Sequence, residues 1–141
     1  MAQLRTIAEY QFGAGAGEAL FPPDRELVVH RSASGRPRQV HRDGNRLVTL
    51  GTDGRFTLGL AGGKQLATVL EPMAYRVVVG DESEPFVRDG KNVFAKFVQR
   101  VDPVIRAGDE VLVEHRDGAL IAVGRAELDA ASMRDFETGM A

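Results

Sequence analysis

The sequence predicts an α+β protein in two small units, residues 1–72 and 73–141. Three observations lead there. Short strand-like stretches follow Pro22-Pro23 and are punctuated by Asp43-Gly44 and Asp53-Gly54, where glycine supplies the positive φ that tight hairpins need. A helical run then stops at Glu71-Pro72, because the residue before a proline is pushed out of the helical region. From Tyr75 a second, separate series of strands and short helices begins. A length of 141 residues fits one average domain or two very small ones, and a hydrophobic fraction of 43% argues for folded structure.

In the first unit, Leu4 to Phe12 reads as a helix with Leu4, Ile7 and Ala8 on one face. Gly13, Gly15 and Gly17 make its continuation costly and read as a flexible connection. Strands follow at Leu27–His30, Gln39–His41, Arg46–Leu50 and Phe56–Leu60, and Gly62-Gly63 opens a helix from Lys64 to about Leu70. In the second unit, Tyr75–Val79 is a strand whose run Val77-Val78-Val79 predicts burial on both faces. Asp81 or Ser83 caps a short helix through Val87, ended by Gly90. Asn92–Val98, Glu110–Glu114 and Leu120–Arg125 read as strands, with turns at Asp102-Pro103, Gly108-Asp109 and Asp117-Gly118. A last helix, about Asp129 to Glu137, places Met133 and Phe136 on one side, and Gly139-Met140-Ala141 starts one more strand.

The absence of cysteine removes disulfides and thiolate metal sites. No signal-like or membrane-spanning apolar run is present, so the expectation is a soluble, cytoplasmic protein. The net charge of -2 does not mark a nucleic-acid binder, but phosphates respond to local fields rather than to sums. Arg31, Arg36, Arg38 and Arg42 fall in a stretch without acids, which suits phosphate or an acidic partner equally. A second basic run carries Arg88, Lys91, Lys96, Arg100 and Arg106.

Within that second run, strand alternation over 92–97 sends Val93, Ala95 and Phe97 to one face and Asn92, Phe94 and Lys96 to the other. An aromatic ring between an amide and an ammonium suits single-stranded nucleic acid: the ring stacks on a base while lysine meets phosphate. Gly90 permits close backbone approach to a phosphate oxygen. The plainer reading packs Phe94 under the last helix and leaves Lys96 merely exposed.

The run Gly90-Lys91-Asn92-Val93-Phe94-Ala95-Lys96-Phe97-Val98, then Asp102-Pro103-Val104-Ile105-Arg106-Ala107-Gly108-Asp109-Glu110-Val111, then Ala122-Val123-Gly124-Arg125-Ala126 and Gly139-Met140-Ala141, resembles the PUA domain. The likeness is greatest to the version at the C-terminus of archaeal tRNA-guanine transglycosylases, the archaeosine-forming enzymes. Glu9-Tyr10-Gln11-Phe12-Gly13-Ala14-Gly15-Ala16-Gly17 resembles the domain before PUA in that family. The resemblance spans nearly the whole chain and is strongest over 75–141. It implies a helix and antiparallel-sheet domain followed by a PUA mixed α/β pseudo-barrel that holds the acceptor end of tRNA, with a final strand continuing past Ala141. It also implies an RNA site of Arg88, Gly90, Lys91, Asn92, Phe94, Lys96, Arg100 and Gly139. The family's catalytic barrel, its nucleophilic aspartate and its zinc ligands have no counterpart in this sequence.

Other motifs point less far. Gly13-x-Gly15-x-Gly17 lacks the lysine and serine of a phosphate loop. His30, His41 and His115 have no paired-ligand spacing, and no metal site or cofactor is predicted. Glu82 and Glu84 read as solubilising acids in a first helical turn. The expectation is therefore a non-catalytic protein that binds RNA, above all tRNA at its acceptor end, as an accessory to tRNA modification. The alternative is an interaction subunit docking on a separately encoded RNA-modifying enzyme, with Arg31, Arg36, Arg38 and Arg42 as a second RNA or partner patch.

Overall fold

The computed structural model describes residues 2–82, 84–88, 93 and 97–135. Packing divides the chain into one compact unit ending at Leu70 and another beginning at Glu71. Among the described residues, each has its own four-stranded sheet.

In the first unit, α1 (Ala2–Phe12) and α2 (Ala16–Leu20) precede an antiparallel meander of β1 (Val28–Arg31), β2 (Pro37–Arg42), β3 (Asn45–Leu50) and β4 (Phe56–Leu58), closed by α3 (Leu60–Ala67). Alternation along β2 to β4 puts Val40, Val48, Leu50, Phe56 and Leu58 into a core with Leu4, Ala8 and Phe12 from α1. Phe21 and Phe56 meet edge to face with centroids 5.7 Å apart. The last strand has an unpaired side, and Gln11 fills it as a surrogate peptide. Its Nε2 donates to Phe56 O at 2.9 Å, and its Oε1 accepts from Phe56 N at 2.7 Å. Gln65 plays a similar part for α2, donating to the carbonyls of Ala19 and Leu20 at 2.8 and 2.9 Å.

Two glycine readings change here. The Gly13–Gly17 run is not a slack connection: α2 begins inside it, and Gly17 is buried against α1. A Cβ on Gly17 would lie 2.7 Å from the Arg5 carbonyl oxygen. Gly62-Gly63 likewise sits within α3, which starts at Leu60 rather than after the pair.

In the second unit the sheet order is β6-β5-β7-β8, made of β5 (Arg76–Val79), β6 (Val98–Val101), β7 (Glu110–His115) and β8 (Leu120–Arg125). Strand β5 runs parallel to β7 and antiparallel to β6, and all four of its residues are buried. Its apolar run is explained by that central place. Val77, Val79, Val87, Ile105, Val111 and Met133 share one core, the last from α5 (Ala130–Asp135). The helix α4 (Glu84–Arg88) leaves β5 through Asp81. Most of the strand read at Asn92–Val98 lies outside the described residues. Of those described, Val93 and Phe97 are not in a strand, and β6 starts at Val98, continuing to Val101. The final strand read from Gly139 also lies outside the described residues.

Candidate nucleic-acid interface

Arg88 and Arg100 flank the segment that carries the predicted RNA site. Arg88 ends α4, half exposed, and its Nε donates to Glu84 Oε1 at 2.8 Å, one helical turn back. Its Nη donors remain for a phosphate beside that bond, which is weak in an exposed pair. Arg100 is exposed on β6 opposite Val78. Gly90, Lys91, Asn92, Phe94, Lys96 and Gly139 lie outside the described residues. Val93 packs partly buried against the core of the second unit.

Around the end of β7 is a charged network that the sequence reading missed. His115, at the end of β7, is buried. Its Nε2 lies 2.5 Å from Asp81 Oδ1 and 3.4 Å from Glu84 Oε2, and its Nδ1 is 3.1 Å from Asp117 Oδ1. Arg116 Nη2 donates to Asp81 Oδ2 at 2.6 Å. Glu84 is thus an anchor between Arg88 and His115 rather than a merely solubilising acid. Asp81 and His115 are 34 residues apart, and only the parallel pairing of β5 with β7 brings them together, so no local spacing signals the network. One ligand atom from each of Asp81, Glu84 and His115 lies within 4.8 Å of the others, a donor set of the kind divalent ions accept. Arg88 and Arg116 already balance its two carboxylates.

The hydrogen bonds that His115 donates to Asp81 and Asp117, aided by the charges of Asp117 and Glu84, raise its pKa above the ordinary 6.5 against the opposing effect of burial. Asp117 is held below 3.8, first by the Ala119 amide and then by His115. Protonated His115 therefore adds stability fully below about pH 6.5, lost as pH rises through the elevated folded value. Asp117 adds stability above about 3.8, lost as pH falls through its depressed value. The stability difference between the wild type and His115→Gln is expected to be greatest near pH 5 and to shrink as pH rises above neutrality. Thermal unfolding from pH 4 to 9 checks this; a difference independent of pH contradicts it.

The arginine stretch of the first unit divides. Arg31 donates to Gly35 O at 3.0 Å across the β1–β2 turn, and Arg36 donates to Gly51 O at 2.6 Å. Arg38 is exposed. Arg42 turns towards α3, donating to Gln65 Oε1 at 3.1 Å. Arg31, Arg36 and Arg42 thus each donate to a different neutral acceptor. His30 and His41 meet edge to face, centroids 4.5 Å apart.

Comparison with known proteins matches residues 2–72 to the patch-forming domain C2 of tRNA-guanine transglycosylase and residues 75–141 to the PUA domain. The tRNA-guanine(15) transglycosylase of Pyrococcus furiosus is 48% identical over 139 residues, which is 98% of this chain and 23% of that protein. The chain thus spans about a quarter of the length of the curated relatives it matches. A hypothetical protein from Pyrococcus horikoshii superposes with a TM-score of 0.74 at 19% identity, covering 99% of this chain and 84% of that one. A conserved PUA domain protein from Thermoplasma acidophilum gives 0.66 at 23% identity, covering 97% and 85%. These two structures bear on the fold. No helix among the described residues is long and apolar enough to cross a membrane.

Proposed function

Because the chain belongs to the family of the patch-forming C2 domain of tRNA-guanine transglycosylase, here followed by a PUA domain, we propose that it binds RNA, and tRNA at the acceptor end in particular. The observation that carries this reading is the joint match of both units, in order, to the C2 and PUA domains of proteins named for acting on tRNA. In this reading Arg88, Lys91, Lys96 and Arg100 meet phosphates, Asn92, Phe94 and the backbone at Gly90 engage the unpaired end, and Gly139 completes the site. The boundary at residues 72–73 separates the PUA part from a supporting C2 part. This chain carries no chemistry of its own, needs no cofactor, works in the cytoplasm and serves tRNA modification as an accessory. Docking on a separately encoded modifying enzyme through Arg31, Arg36, Arg38 and Arg42 is compatible with that role.

The test uses purified protein with intact tRNA and with tRNA whose unpaired 3′ end has been removed. Phe94→Ala is expected to weaken intact tRNA by roughly 1–3 kcal/mol, the worth of one stacked base, and trimmed tRNA much less. Lys91→Ala with Lys96→Ala is expected to weaken both and to lower the slope of log K against log salt by about 0.7–0.9 per contact. Equal losses on both RNAs from Phe94→Ala, together with a lower melting temperature, would show that Phe94 supports the fold instead.

A further inference from the structure

Strands β5 and β7 run parallel, with Val79 paired to His115, so their C-terminal ends lie side by side. Asp81 follows the end of β5, His115 ends β7, and Glu84 opens α4. That placement gathers Asp81 Oδ1, Glu84 Oε2 and His115 Nε2 within 4.8 Å of one another. The other polar atom of each side chain turns to a different partner. Arg116 donates to Asp81 Oδ2 at 2.6 Å, and Arg88 donates to Glu84 Oε1 at 2.8 Å. His115 Nδ1 lies 3.1 Å from Asp117 Oδ1. Each of the three thus gives one atom to an outer partner and aims another inward, the arrangement by which metal-binding histidines and carboxylates are held.

Protons do not serve this cluster fully. An imidazolium has two N–H groups, yet three carboxylate oxygens lie within 3.4 Å of the His115 nitrogens. On the Nε2 side the single proton goes to Asp81 Oδ1 at 2.5 Å, and Glu84 Oε2 stands off at 3.4 Å. A divalent ion there engages all three inner atoms at once. The imidazole proton then sits on Nδ1, towards Asp117 Oδ1, which is nearer than the Asp117 amide at 3.3 Å. With the imidazole neutral, the carboxylates of Asp81, Glu84 and Asp117 outnumber the guanidinium groups of Arg88 and Arg116, so the local field favours a cation. Donor atoms about 2.0–2.2 Å from a tetrahedral ion stand about 3.3–3.6 Å apart. His115 Nε2 and Glu84 Oε2 already have that spacing, and Asp81, with its side chain 62% exposed, has only to swing back by about 1 Å.

We propose that Asp81, Glu84 and His115 form a binding site for a divalent first-row transition metal. One imidazole with two carboxylates suits zinc and its neighbours, whereas calcium and magnesium take oxygen ligands. Three protein ligands leave a position for water on the side where Asp81 meets solvent. The ion ties α4 to the ends of β5 and β7. The site does not depend on the RNA-binding reading.

The experiment is a calorimetric titration of zinc chloride into the full chain, first stripped with EDTA, at about pH 8, where protons compete less for the imidazole. Wild type is compared with Asp81→Asn, Glu84→Gln, His115→Gln and His41→Gln, and metal-free melting temperatures are recorded for each. Asp81→Asn is the decisive variant, because it alters an exposed side chain without changing its size, whereas His115→Gln touches a buried one. His41→Gln breaks the other imidazole cluster, His41 with His30. Wild type and His41→Gln are expected to bind one zinc ion, and zinc should raise the wild-type melting temperature. Asp81→Asn and Glu84→Gln should weaken zinc by at least 10- to 100-fold, roughly what the loss of even an outer partner costs a metal site. Zinc should then leave the Asp81→Asn melting temperature where it was. Wild type that shows neither binding nor a thermal shift overturns the site. Zinc retained by Asp81→Asn and Glu84→Gln but lost by His41→Gln assigns the ion to the histidine pair of the first unit and also overturns it. Displacement of zinc by an equal concentration of magnesium or calcium would refute the transition-metal assignment.

Discussion

Replacing Glu114 with leucine is expected to destabilise the second unit by about 3–5 kcal/mol, the usual cost of stranding one member of a buried ion pair. Arg76 opens β5 at 5% exposure, and its Nε donates to Glu114 Oε1 at 2.7 Å while Nη1 reaches Ala74 O at 2.8 Å. The partner carboxylate is only 18% exposed, so neither charge is fully returned to water in the folded state. Removing Glu114 takes away the carboxylate 2.7 Å from a guanidinium that stays buried at the head of β5. For a unit of this size each kcal/mol is worth roughly 4–8 °C, so the transition of the second unit should fall by well over 10 °C. The double variant Arg76→Met with Glu114→Leu should recover much of the loss, since an apolar pair of similar volume avoids the desolvation of both ions. Denaturant unfolding, followed by a probe in the second unit, checks both. A loss below about 1 kcal/mol for Glu114→Leu would mean that water reaches Arg76 in solution.

The sequence made the strand scaffold legible because strands announce themselves locally. Asp43-Gly44 and Asp117-Gly118 sit at the observed turns, Leu120–Arg125 matches β8, and the run Val77-Val78-Val79 predicts the burial that β5 shows between β6 and β7. Long-range geometry is what local patterns could not carry. Glu84 looked like a surface acid because its partner His115 lies on β7, brought in by the parallel pairing of β5 with β7. Arg46 and Lys64 had no motif, and they join Arg42 only when the hairpin folds against α3. Arg42, by contrast, was legible as a cation without an acidic neighbour upstream.

The glycines failed for a related reason: propensity scores glycine as a helix breaker, whereas close packing can require it inside a helix. Gly62 is the sharpest case. In an exposed helix, alanine in its place would add about 1 kcal/mol of stability. Here α3 lies so close to β3 that a Cβ on Gly62 would overlap the Leu47 carbonyl oxygen, and Gly59 faces the Arg46 carbonyl in the same way. Both obstacles are backbone atoms of a strand fixed on either side by β2 and β4, so the helix must move instead. Gly62→Ala is therefore expected to cost about 1–3 kcal/mol, and Gly62→Val more, by overpacking. Gly124→Ala is the control, because its Cβ would meet nothing within 4 Å; replacing a glycine inside a strand should there be neutral or gain up to about 1 kcal/mol. Melting curves on the two glycine variants measure both effects. A Gly62→Ala protein as stable as the wild type would mean that α3 and β3 are farther apart than this packing requires.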